Sequence, residues 1–277
     1  MRDFCARKVY SHSIEKRLWH NTESQAEGSY FETLCLGSGA RGQQVLDLPR
    51  NSRNGEKKSA QQRLDIQHLN FLRVCKEKGI IIMPEICQVK VSKRWEKNSE
   101  YIISGEMDIY PVILTNDEDE HVISIVDLKT TGDLDNDFGE YSWGNFRAMD
   151  HNQAFTYLYL VEDIDIELNM QMGNTKIVEL SKMFKLNDMR PEFNYWVFEY
   201  KKATLRNKMF RVLNTPDRRA EMNENIRKTV ELLETYYCDE RWDQTFPSSE
   251  NCRSCADMDC ELRYTFNKAA EEAHETL

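Results

Sequence analysis

Asp127 and Lys129 stand two positions apart in "ISIVDLKTTGD", residues 123–133. The apolar Ile123, Ile125 and Val126 before them read as a buried strand. Side chains alternate along a strand, so the acid and the lysine fall on the same side. A second acid, Asp108 in "SGEMDIYPV", lies 127 − 108 = 19 residues upstream, with the acidic "TNDEDE" between them as a turn. Two neighbouring strands would then bring both carboxylates to one rim. Hard cations such as Mg²⁺ take oxygen ligands, commonly one or two carboxylates with phosphate and water. A lysine beside them can polarise a scissile phosphate or orient an attacking water. The combination suits metal-assisted hydrolysis of a phosphodiester. Taken alone, the same pair reads as a solvated ion pair worth little to stability.

The elements that must position these residues follow from periodicity. Residues 28–40 read as a helix carrying Glu32, and 41–63 as a polar, basic loop. Residues 60–79 read as an amphipathic helix on Leu64, Ile66, Leu69, Phe71, Leu72 and Val74, stopped by Gly79. The stretches 79–92, 100–114 and 120–131 read as a mostly antiparallel meander. A helix over 146–163 follows, then two strands within 194–213 and a long charged helix over 216–238 opened by Pro216. The order predicts one α/β domain spanning 1–277, with helices packed on a central sheet.

Composition bounds the rest. The charge of 37 − 47 = −10 argues against a surface wholly devoted to nucleic acid, though not against a local basic channel. No apolar stretch approaches the ~20 residues of a membrane span, and the charged start "MRDFCARKVY" does not resemble a secretion signal. The expected location is the cytoplasm. There, clustered cysteines suggest metal binding before disulfides. Cys252, Cys255 and Cys260 form a C-x2-C-x4-C run in "NCRSCADMDC", and Cys5 stands far upstream. Cys35, Cys75, Cys87 and Cys238 read as small buried hydrophobes.

An acid on one strand and acid-any-lysine on the next resembles the PD-(D/E)XK nuclease superfamily. "GSYFETLCLG" is similar to the helix from which RecB-like members supply a further metal ligand, here Glu32. Gln153 and Tyr157 in "DHNQAFTYLYL" share a helix face and resemble the Gln-x-x-x-Tyr motif of RecB-like nucleases. Cys5 in "CARKVY" with the three late cysteines is similar to the iron–sulfur pattern of AddB-type and CRISPR-associated RecB-like exonucleases, with x4 where the family often shows x5.

The resemblance implies a restriction-endonuclease-like core, a central mixed sheet flanked by helices, with a C-terminal cysteine-cluster region. It implies that Glu32, Asp108, Asp127 and the Leu128 carbonyl hold Mg²⁺ or Mn²⁺. Lys129 would activate water or stabilise the transition state, and Gln153 and Tyr157 would position the site and the DNA. Cys5, Cys252, Cys255 and Cys260 would hold a structural [4Fe–4S] cluster joining the termini, with Zn²⁺ as the chemical alternative. The implied activity is a DNA exonuclease acting on single strands or ends. Recombination, repair, phage DNA metabolism and CRISPR adaptation are its settings, and their proteins its possible partners. No G-x-x-x-x-G-K-[ST] motor motif is present. The alternative is a catalytically silent module that binds DNA or a partner. Arg50, Arg53, Lys57, Lys58, Lys90, Lys93 and Arg94 are candidates to guide a strand, and Trp95 to stack on a base.

Overall fold

The computed structural model describes residues 23–39, 42, 44–50, 55–95, 100–115, 120–135, 151–186, 191–201, 205–212 and 214–239, with backbone alone at 151–152, 186, 232–233 and 235–239. Cys5, Cys252, Cys255 and Cys260 lie outside these residues, as do Arg53, the loop tip 116–119 and the side chain of Cys238. Two compact units divide the chain. Glu23–Met222 is one, and Met1–Thr22 with Asn223–Leu277 is the other.

Within the first unit, α1 (Glu23–Leu36) and α2 (Ser59–Lys78) precede three strands, β1 (Cys87–Arg94), β2 (Ile102–Thr115) and β3 (His121–Thr131). Then come α3 (His151–Glu162), α4 (Ile166–Gln171) and α5 (Thr175–Leu186), strands β4 (Pro191–Glu199) and β5 (Asn207–Val212), and α6 (Pro216–Asp239), which runs into the second unit. The sheet is five-stranded in the order β1-β2-β3-β4-β5. All neighbours are antiparallel except β3 and β4, which are parallel. A parallel pair needs a long crossover, and α3, α4 and α5 supply it. The expected α/β class with a mixed central sheet is the one observed. Among the described residues, no helix is long and apolar enough to cross a membrane.

The inner strands are buried on both faces. Ile123, Ile125, Val126 and Leu128 of β3 and Phe193, Tyr195, Trp196, Val197 and Phe198 of β4 are all at most 2% exposed. Such near-continuous apolar runs are what a strand covered by helices on both sides requires. On one face, Phe31 of α1 and Phe71 of α2 pack on Phe198, and Phe71 also meets Trp196, with ring centroids 5.2–5.9 Å apart. On the other, Tyr157 of α3 meets Phe193 at 6.0 Å.

The edge strand β1 is covered by side chains that imitate a neighbouring strand. Asn169 donates to the Ser92 carbonyl at 2.6 Å and accepts from the Ser92 N–H at 3.3 Å, and Asn174 donates to the Lys90 carbonyl at 2.8 Å. These bonds occupy groups that would otherwise invite another chain.

Two local expectations are corrected. The apolar stretch from Gly79 is not strand until Cys87. Pro84 removes a ladder donor and opens a 3₁₀ turn over Pro84–Ile86. On α2, Leu64, Phe71 and Val74 are buried, but Ile66, Leu69 and Leu72 are 47–64% exposed. The buried face is completed by Gln61, Gln67 and Asn70.

Candidate active site

The site forms where β2 and β3 part. Their ladder runs from Thr115–His121 to Ile109–Val126 and stops there. Pro111 lies inside a bulge at which β2 takes three steps, Ile109 to Val112, against two on β3, Val126 to Ser124. A proline has no N–H for a ladder and is tolerated at such a bulge. Before Ile109, β2 pairs with β1; after Val126, β3 continues on β4. Asp108 and Asp127 are the first residues beyond the parting on either strand.

Both aspartates are buried, at 8% and 2% exposure. The Leu128 N–H donates to Asp108 Oδ2 at 2.7 Å, where a continued ladder would offer a backbone carbonyl. The N–H and C=O of one strand residue point to the same edge, so the Leu128 carbonyl faces the same gap. Lys129 Nζ lies 2.6 Å from Asp127 Oδ2. The acid and lysine do share a side, with two residues of β3 still to follow.

Four further side chains complete the surroundings. From α3, Gln153 Nε2 donates to Asp127 Oδ1 at 2.9 Å, and the Tyr157 hydroxyl donates to the Glu106 carbonyl at 2.8 Å. From β1, Gln88 Nε2 donates to Asp108 Oδ1 at 3.3 Å. Glu32 of α1 acts through its charge on both Asp108 and Lys129.

The electrostatics follow from burial and crowding of like charge. Burial first, then the charges of Asp127 and Glu32, push the Asp108 carboxyl well above the usual range, against the pull of Lys129 and the Leu128 N–H. Burial disfavours the Lys129 cation, but Asp127, Asp108 and Glu32 outweigh it, and its titration lies above that of an ordinary lysine. Burial likewise raises the Tyr157 phenol, with the Asp127 and Asp108 charges adding to it.

Two buried carboxylates beside a strand carbonyl form a hard-oxygen donor set of the kind a divalent ion takes. Among the described residues, however, no three or more His, Cys, Asp or Glu side chains form a group ready to hold a metal. The Asp127 carboxylate is engaged by the Lys129 ammonium instead.

The structure thus links Asp108 with Leu128, Asp127 with Lys129 and Gln153, and Gln153 with Tyr157, by direct contacts, whereas Glu32 acts on Asp108 and Lys129 through its charge and does not complete a three-acid group among the described residues. Of the candidate basic guides, four are held in ion pairs. Arg50 pairs with Asp47, Lys57 with Asp65, Lys58 with Glu23 and Arg94 with Asp165. Lys93 lies 4.0 Å over the Tyr159 ring, and Trp95 packs against the same ring at 6.1 Å.

Gly105 and Gln88 escaped the sequence reading. A Cβ on Gly105 would sit 2.6 Å from the Tyr157 ring, so only glycine lets α3 lie this close to β2. An isolated glycine in a strand pattern is the available signal for such an approach. Gln88 carried no signal, because its role comes from a backbone turn within β1.

No protein-family model matches the chain, and no curated protein matches it in sequence. Among solved structures, it is similar to a candidate exonuclease from Eubacterium rectale. That likeness has 14% identity and a TM-score of 0.48, over 83% of this chain and 78% of that one. It is also similar to SSO0001, with 16% identity and a TM-score of 0.40, over 94% of this chain and 83% of that one. At these values neither likeness carries a functional reading, which has to stand on the geometry of the site.

Proposed function

We propose that this chain is a metal-dependent deoxyribonuclease of the PD-(D/E)XK, RecB-like kind, hydrolysing phosphodiester bonds of single-stranded DNA or DNA ends as an exonuclease. The observation that carries the reading is the burial of Asp108 and Asp127 side by side, with the Lys129 ammonium, at the parting of β2 and β3. Burying two like charges together is costly, and a fold keeps such an arrangement most readily where a cation is to be received.

In this reading Asp108, Asp127 and the Leu128 carbonyl hold Mg²⁺ or Mn²⁺, with Glu32 as a further carboxylate. The ion, when bound, lowers the pKa of a coordinated water and offsets charge on the phosphate. Lys129 supplies a positive charge beside Asp127, directed at the phosphoryl oxygens. Gln153 fixes the orientation of Asp127, and Tyr157 anchors α3 to β2 so that Gln153 stays in reach. Cys5, Cys252, Cys255 and Cys260, outside the described residues, would supply four thiolates for a structural [4Fe–4S] cluster or for Zn²⁺.

The test is digestion of end-labelled single-stranded and duplex DNA by the purified protein in Mn²⁺, with and without EDTA. Asp108→Ala and Lys129→Ala should each abolish cleavage while leaving the circular dichroism spectrum unchanged. Undiminished metal-dependent digestion by both variants would refute the assignment.

Two observations favour a second reading, a silent module that binds DNA or a partner. Lys129 already neutralises Asp127, and no three-acid group ready for a metal occurs among the described residues. DNA retention in gel shifts, with no cleavage by the unsubstituted protein in Mg²⁺ or Mn²⁺, would select it.

A further inference from the structure

Gln88 stands opposite Asp108. The β1–β2 ladder pairs Cys87 with Ile109 and Val89 with Met107, so these two residues fall between the paired positions. Yet the Gln88 backbone is not that of a strand. Its φ of 51° makes it the one non-glycine residue with positive φ among those described. Side chains with a Cβ rarely adopt this conformation, and it persists where the surroundings enforce it.

The consequence is visible in the bonds of Asp108. Its Oδ2 takes the Leu128 N–H at 2.7 Å, and its Oδ1 takes the Gln88 amide at 3.3 Å. The arrangement repeats at Asp127, whose Oδ1 takes the Gln153 amide at 2.9 Å. Each buried aspartate is therefore held by one glutamine from a neighbouring element.

Gln88 differs from Gln153 in one respect. Its carbonyl Oε1 is enclosed from solvent and accepts no hydrogen bond from another described residue. A buried acceptor without a donor is uncommon in folded proteins and asks for an explanation. Beside a carboxylate pair, a neutral oxygen of this kind matches the preference of a hard cation, or of water bound to it.

We infer that Gln88 is a positioning residue of the site, aiming the Asp108 carboxylate through its amide N–H and presenting Oε1 to a divalent cation or its water. The inference rests on the metal-dependent reading above. It adds a neutral residue on β1 to a set otherwise made of acids, a lysine and the glutamine–tyrosine pair.

The experiment measures Mn²⁺ binding to the full chain by the loss of the free-ion electron paramagnetic resonance signal, with thermal melting of the metal-free protein alongside. Gln88→Met removes both amide groups at nearly constant length. Gln88→Gly removes them while relieving the backbone, so its fold is not at risk from φ. Both variants should bind Mn²⁺ about 10- to 100-fold more weakly, as expected for a residue that orients a ligand. The melting temperature of Gln88→Gly should be unchanged or higher. Wild-type affinity in both variants would overturn the inference. An unsubstituted chain that binds no Mn²⁺ would instead overturn the metal-dependent reading, and this inference with it.

Discussion

Gln153 of α3 holds Asp127 of β3 across the helix–sheet boundary, Nε2 to Oδ1 at 2.9 Å. The contact joins the crossover helix to the strand whose acid lies nearest Lys129. A residue that orients a ligand typically contributes about 10- to 100-fold in activity. Gln153→Ala should lower single-turnover cleavage by that factor while the melting temperature moves little. Wild-type rates would remove Gln153 from the site.

A second prediction concerns Gly105, whose hypothetical Cβ meets the Tyr157 ring at 2.6 and 2.9 Å. Overpacking of this kind costs about 1–3 kcal/mol. Gly105→Ala should lower stability in urea denaturation by that amount. Combined with Tyr157→Ala, the two losses should fall short of additive, because the clash has lost one partner. Simple additivity would mean that the ring is not what excludes a side chain at 105.

Asp108 carries opposed demands. Burial and the charges of Asp127 and Glu32 favour its neutral form in the folded chain. Asp108→Asn retains an acceptor for the Leu128 N–H and removes the disfavoured charge. The metal-free variant should therefore melt above the wild type, by about 1–2 kcal/mol of added stability. Saturating Mn²⁺ should raise the melting temperature of the wild type, through preferential binding to the folded form, but not that of the variant. A variant that melts lower without metal would show that the Asp108 charge is not disfavoured.

The described cysteines give a pH signature. Burial pushes the Cys75 thiol up to about 11 from an ordinary 9.0. Burial first, then the charges of Asp108 and Glu85, does the same at Cys87. The folded chain thus keeps both as thiols while the unfolded chain ionises them. Their contribution to stability is full below pH 9, where both states are protonated, and declines as pH rises from 9 to 11. Urea titrations across that window should show the decline, and Cys75→Ala should make it shallower. An identical slope in the variant would contradict the assignment.

Much of this was legible in the sequence, because the signals were local. Strands β2, β3, β4 and β5 follow from runs of apolar residues bounded by turn residues, helix α6 from a charged stretch opened by Pro216, and Asp127 and Lys129 share a side because strands alternate. The failures arose where one residue type served two purposes. On α2, Ile66, Leu69 and Leu72 were grouped with the core although they lie on the opposite face. Their places are taken by Gln61, Gln67 and Asn70, which stay buried by bonding to the Asp47 carboxylate, the Glu199 carbonyl and each other. The edge-capping asparagines 169 and 174 could not be read either, since their partners lie more than seventy residues away. Cys35 and Cys75 are buried as expected, whereas Cys87 is half-buried and donates from Sγ to the Met83 carbonyl at 3.2 Å.

The Leu128 N–H spans the place where β2 and β3 part company, reaching a carboxylate rather than a backbone oxygen. Beyond Val126, a flexible side chain takes over from the row of rigid peptide bonds that joins the two strands further back. The span between the paired acids is consequently set by the Asp108 carboxylate, which Leu128 grips at one oxygen and Gln88 at the other, rather than by the ladder itself.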